Sequence, residues 1–452
     1  MDRLREEEMM GKTVVVGGGT SGLAAAYTLQ KGGADCTVLE KRDFSGGRIY
    51  GIEKEGFTLD LGAQFFFSRY RTTYDLMRQL GIYDQHVKFA KPVGMLRDGT
   101  VHTASPRVMD NLKHPTAALK FGAISNRGKR QGMKVALDFL KVGKKLDFDD
   151  PLKAIELDNI SVADYARRRW GDEILEYVVQ PIDSALTLGV PEEISAAYGL
   201  ALIWYAIRGL STTTKGIGYL AESLAANVKD VRLNTEVKRI LLEGNKIKGV
   251  EIASGSKTEF LEADSVVCAT LAPQAAELLA GLPDALKDIL SGIKYSACTH
   301  VMIAIRGQVM GDMYAIATPR REGLSMCGFT DNANKAPTYA PPNTSLIHVF
   351  TYGKFGREML DWDDAKIQEQ CIREIQMVVP QFPDEPIFCE IFRWPEAVCL
   401  SGPGQITAVQ KMKVGMREFE GLHLAGEYLG MPSVEAALHS GVKAAEKVLK
   451  SS

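Results

Sequence analysis

The 452-residue chain has no excess of charge, no paired cysteine motif and no apolar run of membrane-spanning length. Lys and Arg number 54 against 56 Asp and Glu, a formal net charge of −2 that excludes the basic surplus of a general nucleic-acid binder. Seven cysteines (Cys36, Cys268, Cys298, Cys327, Cys371, Cys389 and Cys399) are scattered, odd in number and without a C-x-x-C pair. This spacing excludes a disulfide framework or a zinc site and points to a reducing, cytoplasmic setting. The seven histidines do not cluster, so no metal is expected. The N-terminal MDRLREEEMMGK lacks the apolar core of a secretory signal, and its first nine residues read as a solvated extension. The stretch from Ile194 to Ile207 is shorter than the ~20 residues that span a bilayer and reads as a buried core helix. There is no low-complexity block or short-period repeat.

What is present is an ordinary globular composition, 45% hydrophobic and 24% charged, over a length that suits more than one domain. Residues 12–50 read as strand, Gly-rich turn, helix and strand, with the helix stopping at Gly32–Gly33. Residues 160–207 read as helical throughout, SVADYARRRWGDEILEYVV forming one capped amphipathic helix. Residues 231–269 read as strands with a hairpin turn at Gly244–Asn245, and 296–305 and 345–352 as strands of a second sheet. WDDAKIQEQCIREIQMVV reads as a helix, and the segment from Gly421 onward as strand, loop and long helix. Residues 108–146 carry Lys113, Lys120, Arg127, Lys129, Arg130, Lys134, Lys141, Lys144 and Lys145 against only Asp110 and Asp138. That run reads either as a solvated helical surface or as a basic patch for anionic lipid or an acidic substrate.

The strongest local motif is VVVGGGTSGLAAA, in which Gly17, Gly19 and Gly22 form G-x-G-x-x-G directly after a strand. Gly17 permits the tight turn, Gly19 lets backbone approach a pyrophosphate, and Gly22 lets helix and strand pack closely. The helix N-terminus offers free N–H groups to phosphates. Glu40 ends the second strand, 18 residues past Gly22, where a carboxylate accepts from ribose hydroxyls and repels a 2′-phosphate. Strand, helix, second strand and acidic end in register predict a dinucleotide site.

A second glycine pair followed by arginine, Gly46–Gly47–Arg48, stands close behind Glu40, and an NAD site has no need of it. LDLGAQFFF and the C-terminal LAGEYLGMPSVEAALHSG complete a set that resembles the FAD-dependent amine oxidase superfamily, closest to protoporphyrinogen oxidase-like flavoproteins. The resemblance covers nearly the whole chain. It implies an α/β fold, a Rossmann-like FAD-binding domain of the GR2 type, with an inserted α+β substrate domain and a helical subdomain. The implied division is 11–92, 212–285 and 415–452 for FAD binding, 93–211 for a helical substrate subdomain, and 286–414 for a substrate domain with a mixed sheet. It implies FAD contacts at Gly17, Gly19, Thr20, Ser21, Gly22, Glu40 and Lys41, and at Gly47, Arg48, Gly62 and Ala63. Val237 matches the position whose backbone meets adenine, and Gly426, Glu427, Ser433 and Val434 the closing motif. Ser433, after Pro432, reads as the cap of the last helix, whose N-terminus would stabilise negative charge on reduced flavin.

The branch is suggested by SVADYARRRWGDEILEYVVQPIDSALTLGVPEEIS, by FRWPEAVCLSGPGQ and by TTTKGIGYLAESLAANV, which resemble protoporphyrinogen oxidase segments. Cys399 stands where that branch has proline, and Lys215–Gly216 where it has Gly-Gly. Amine oxidases proper hold a lysine near flavin N5, and the matching residue here is Thr299; their second flanking aromatic falls near Ser433. Thr299, Arg393 and Trp394 are the implied substrate-side residues, although Arg393 also reads as an ion-pair partner and Trp394 as core. No catalytic acid–base pair stands out; Glu396 reads as a base or as a solvated surface group. A bulky, apolar small molecule, dehydrogenated by hydride transfer to flavin N5, is the implied substrate. Isoprenoid desaturation, amine oxidation and a flavin-free, dissociation-inhibitor-like binding role are the alternatives. Peripheral membrane contact and a homodimer stay open.

Overall fold

The computed structural model describes residues 11–104, 121–254 and 257–451. The N-terminal extension, Asp110, Lys113 and Lys120 lie outside the described residues. A five-stranded parallel sheet runs in the order Val231–Arg232, Cys36–Leu39, Thr13–Val16, Ser265–Cys268, Leu422–Leu424. The central strands TVVV and SVVC are valine-rich and almost wholly buried, as parallel strands covered on both faces must be. The helix Thr20–Lys31 returns along the sheet, with Leu23, Ala24, Ala25 and Ala26 fully buried. The last helix, Val434–Ser451, packs directly upon it. A Cβ added at Gly441 would lie 2.0 Å from Ser21 O, so glycine is what allows the two chain ends to touch. The hairpin Val237–Glu243 with Lys246–Ser254 turns at Gly244, where φ is +58°.

The second sheet is mixed and seven-stranded: Phe388–Trp394, Cys298–Arg306, Thr344–Thr351, Met326–Asp331, Ala315–Ala317, Val93–Arg97, Thr100–Ala104. One face, with Val301, Ile303 and Val349, packs on Ile367, Cys371 and Ile375 of the helix Asp364–Val378. The other face, with Met302, Ala304 and Leu346, packs on Phe57, Leu59 and Leu61. Alternation along the strand assigns each residue to one face or the other.

The helical layer departs from the single helix expected over 161–179. Ser161 caps Val162–Trp170, its Oγ accepting from Asp164 N at 3.0 Å, but Gly171 (φ +88°) ends that helix. A short turn Asp172–Ile174, a π-helical segment Leu175–Val179 and the helix Gln180–Thr187 follow. Leu188, at φ +57°, breaks the path again before Ser195 caps Ala196–Ala206. Positive φ is outside the helical basin, and a hydrophobic period cannot register that interruption. Most of Ala196–Ala206 is core, as the apolar run requires. Among the described residues no helix is long and apolar enough to cross a membrane, and the seven cysteines are free.

Candidate cofactor site

The Gly-rich turn leaves the first strand with Gly17 at φ +105°, where an added Cβ would lie 2.9 Å from Ala269 O. Gly18 N donates to Glu40 Oε2 at 2.7 Å and Arg42 N to Glu40 Oε1 at 2.9 Å, which fixes the carboxylate at the turn. A Cβ at Gly22 would lie 1.9 Å from Gly17 O, so helix and turn are in backbone contact there. Around Gly19 the situation is opposite, since an added Cβ would meet only Gly47 Cα, at 4.0 Å. The helix Thr20–Lys31 starts at Gly19 with no side-chain cap and no acidic residue in its first turn. Amide groups of Thr20 and Ser21 are therefore left for an anion. Lys41 is exposed beside Glu40.

The second glycine pair folds onto the first. Gly46 N donates to Gly18 O at 2.8 Å. Arg48 forms an ion pair with Glu427 at 2.6 Å and donates to Ala397 O at 3.2 Å, its guanidinium lying 5.5 Å from the Tyr295 ring centroid. Arg48 O accepts from Ala63 N at 2.9 Å, and a Cβ at Gly62 would lie 2.1 Å from that oxygen. The 46–48, 62–63 and 426–427 segments thus meet around one arginine. Thr235 N donates to Glu40 O at 2.8 Å, and Val237 is buried in one cluster with Val16 and Leu39. Gly426 N donates to Ser440 Oγ at 2.9 Å. Ser433 Oγ accepts from Ala436 N at 3.0 Å, the cap that precedes Val434.

These features fit an FAD. The open cradle over Gly19 and Gly47 and the uncapped helix suit a pyrophosphate, and the Glu40 carboxylate suits a ribose. Gly62–Ala63 and Gly426–Glu427 would face the remainder of the group from the other side of Arg48.

Strand register places Thr299 and Arg393 on the sheet face turned away from the Gly62 turn. Cys298 pairs with Trp394, Thr299 with Arg393 and His300 with Phe392. His300 Nδ1 and Trp394 Nε1 both reach Leu61 O at 2.8 Å, so the face bearing His300 looks toward the Gly62 turn. Thr299 and Arg393 belong to the opposite face. Arg393 is spent on Leu360 O, Trp362 O and Asp364, and Thr299 is fully buried with its amide donating to Thr351 Oγ1 at 2.8 Å. A shift of one residue along a strand reverses the face, so His300, and not Thr299, is turned toward Gly62. Glu396 is exposed, in keeping with a solvated surface group.

A buried polar network behind the Gly62 turn has no counterpart among the sequence expectations. Asp60 Oδ2 accepts from Lys335 Nζ at 3.0 Å and from Tyr339 OH at 2.9 Å, while Oδ1 accepts from Ile217 N at 2.8 Å. Gln64 Nε2 donates to Gly62 O at 2.8 Å, and its Oε1 accepts from Lys335 Nζ at 3.0 Å. Burial pushes the Lys335 amine down while Asp60 opposes that shift. His300 Nε2 lies 2.9 Å from His348 Nδ1, and burial lowers the His300 pKa to about 4. With Nδ1 of neutral His300 donating to Leu61 O, its Nε2 must accept from His348 Nδ1–H. Asp60 and Gln64 lay within a quoted motif, and His300 and His348 within strands the sequence pattern predicts, but Lys335 sits in a stretch without pattern. Glu435 is also fully structural: its carboxylate accepts from the amides of Arg71, Thr72 and Thr73, at 2.7, 2.7 and 2.9 Å, and so caps Thr72–Gln79.

The family model for flavin containing amine oxidoreductases matches residues 20–449. The coproporphyrinogen III oxidase of Bacillus subtilis is 23% identical, over 93% of this chain and 94% of its own length. The mitochondrial protoporphyrinogen oxidase of Nicotiana tabacum is 22% identical, over 97% and 94%. Among solved structures, the cyclohexylamine oxidase of Brevibacterium oxydans superposes with a TM-score of 0.73 at 18% identity, covering 98% of this chain and 99% of that one.

Proposed function

The chain belongs to the flavin containing amine oxidoreductase family and uses FAD as its cofactor; from that premise we propose that it dehydrogenates a bulky, apolar small molecule of the porphyrinogen type. The chemistry FAD supplies when bound is acceptance of a hydride at N5. Gly17, Gly19, Thr20, Ser21 and Gly22 would hold the pyrophosphate with Gly47, Glu40 the ribose, and Lys41 its rim. Val237 would bound the adenine end. Arg48, Gly62, Ala63, Gly426, Glu427, Ser433 and Val434 would bound the ring end.

The observation that carries the substrate reading is the chemistry of the sheet face turned toward the Gly62 turn. It carries His300, Phe350, Phe392 and Trp394, with the His300 and Phe350 rings stacked at 4.6 Å and the Phe392 and Trp394 rings tilted by 44° at 4.7 Å. His300 stays neutral because of its burial. The lysine behind the turn, Lys335, is engaged by Asp60 and Gln64. His300 and Trp394 are buried against Leu61 O, so this aromatic wall backs the Gly62 turn, and among the described residues it brings no unpaired amine or carboxylate to serve as a base. Orientation is then the main contribution of the protein, with solvent taking the released proton. The named relatives that act on coproporphyrinogen and protoporphyrinogen support the same substrate class.

Anaerobic mixing with coproporphyrinogen III or protoporphyrinogen should bleach the oxidised flavin band. A flavin that stays oxidised with both, yet bleaches with a primary amine, would overturn the reading in favour of amine oxidation.

A further inference from the structure

A cavity of about 430 Å³ lies between the helix Gln405–Gly415 and the segments 149–152 and 428–430. Three of its wall residues keep hydrogen-bonding capacity that the fold leaves unused. Ser401 and Tyr428 are 1% and 0% exposed, and among the described residues neither Ser401 Oγ nor Tyr428 OH has a partner. A buried hydroxyl left unpaired is costly, and a ligand that accepts from it recovers the loss. Lys413 donates from Nζ to Leu429 O at 2.6 Å, and among the described residues no carboxylate pairs with it. Burial and Lys447 lower the Lys413 pKa, while Asp150 opposes that shift. The two carboxylates of the wall are engaged elsewhere, Asp149 with Arg71 at 2.6 Å and Asp150 with Lys153 at 3.5 Å. Pro151, Leu152, Ile406 and Val409 give the cavity an apolar side. None of these residues is among those that would hold FAD. Tyr428 nevertheless follows Glu427, and an added Cβ at Gly426 would lie 2.4 Å from Tyr428 Cε1, so the cavity shares a wall with the closing motif.

We propose that this cavity binds a small monocarboxylate with an apolar body, its carboxylate accepting from Tyr428 OH, Ser401 Oγ and the Lys413 ammonium. Two hydroxyls and an ammonium are all donors to an anion, and one carboxylate has lone pairs enough for the three. The apolar side suits a short hydrocarbon chain, with the few polar groups fixing its orientation. A dianion such as phosphate fits less well, because Asp149 and Asp150 stand in the same wall and repel a second negative charge.

The test is calorimetric titration of the FAD-loaded protein with pentanoate, which should show a single site. Pentanamide, its uncharged analogue, should bind about tenfold or more weakly, and Lys413→Met and Tyr428→Phe should each weaken pentanoate binding by about tenfold. Without ligand both variants should keep the flavin spectrum and unfolding temperature of the parent, because Tyr428 loses only an unpartnered hydroxyl and the Lys413 side chain is exposed. No heat and no rise in unfolding temperature with pentanoate would mean that the cavity holds water alone, and would overturn the proposal. So would equal affinity for pentanamide, tighter binding of inorganic phosphate, or pentanoate binding that both variants leave unaltered, which would place the ligand elsewhere in the protein. Should Tyr428→Phe fail to fold, Lys413→Met decides between these outcomes by itself.

Discussion

Lys335 Nζ lies 3.0 Å from Asp60 Oδ2, and neither side chain has any exposed surface. The pair stands behind the Leu61–Ala63 turn, with Gln64 and Tyr339 completing its hydrogen bonds. Lys335→Met leaves an uncompensated carboxylate in the interior, which costs about 3–5 kcal/mol. Adding Asp60→Asn should restore part of that stability. A denaturant double-mutant cycle checks this; two additive losses would show that the groups do not act as a pair.

His300 gives a pH dependence with a definite sign. Its folded pKa is lowered to about 4 by burial, against an ordinary value of 6.5. Between those values the unfolded chain binds a proton that the folded chain refuses, so stability falls as pH drops from about 6.5 to about 4. The loss from this group is on the order of 3 kcal/mol, and His348, whose pKa burial also lowers, acts in the same direction. Thermal unfolding followed across that window should show a shallower slope for His300→Gln than for the parent.

Asp183 is wholly buried, and among the described residues neither carboxylate oxygen has a hydrogen-bond partner. Burial raises its pKa well above the ordinary range, so the group is held neutral. Keeping a proton there costs more free energy as pH rises above the unfolded value of about 4. Asp183→Asn removes that cost and should stabilise the protein at pH 7 by about 1–3 kcal/mol, with the difference shrinking toward pH 4. Chemical denaturation at both pH values decides it.

The contact between the chain ends should control FAD retention. Gly441→Val drives its side chain into Ser21 O, which an added Cβ would approach to 2.0 Å. Overpacking of this kind costs about 1–3 kcal/mol, and it displaces the first turn of the helix Thr20–Lys31. The expected outcome is weaker FAD binding, by about tenfold for each 1.4 kcal/mol transmitted to the site. Flavin content after gel filtration is the measure, and a variant as yellow as the parent would refute the coupling.

The sequence alone determined the parts that depend on near neighbours. A β-branched strand, glycines at fixed offsets, a helix and an acidic strand end are local signals, and Gly17, Gly22 and Glu40 stand where those signals imply. The C-terminal strand, cap and helix were legible for the same reason. Segment 160–207 was not, because the breaks at Gly171 and Leu188 are matters of φ, which hydrophobic period does not record. Which face of the strand Cys298–Arg306 meets the Gly62 turn depends on one residue of register, and only sheet pairing set it, placing His300 rather than Thr299 there. The Asp60–Lys335 pair joins residues 275 positions apart in the chain. No local pattern marks such a pair, because its partners become neighbours only when burial excludes water and each charge needs the other.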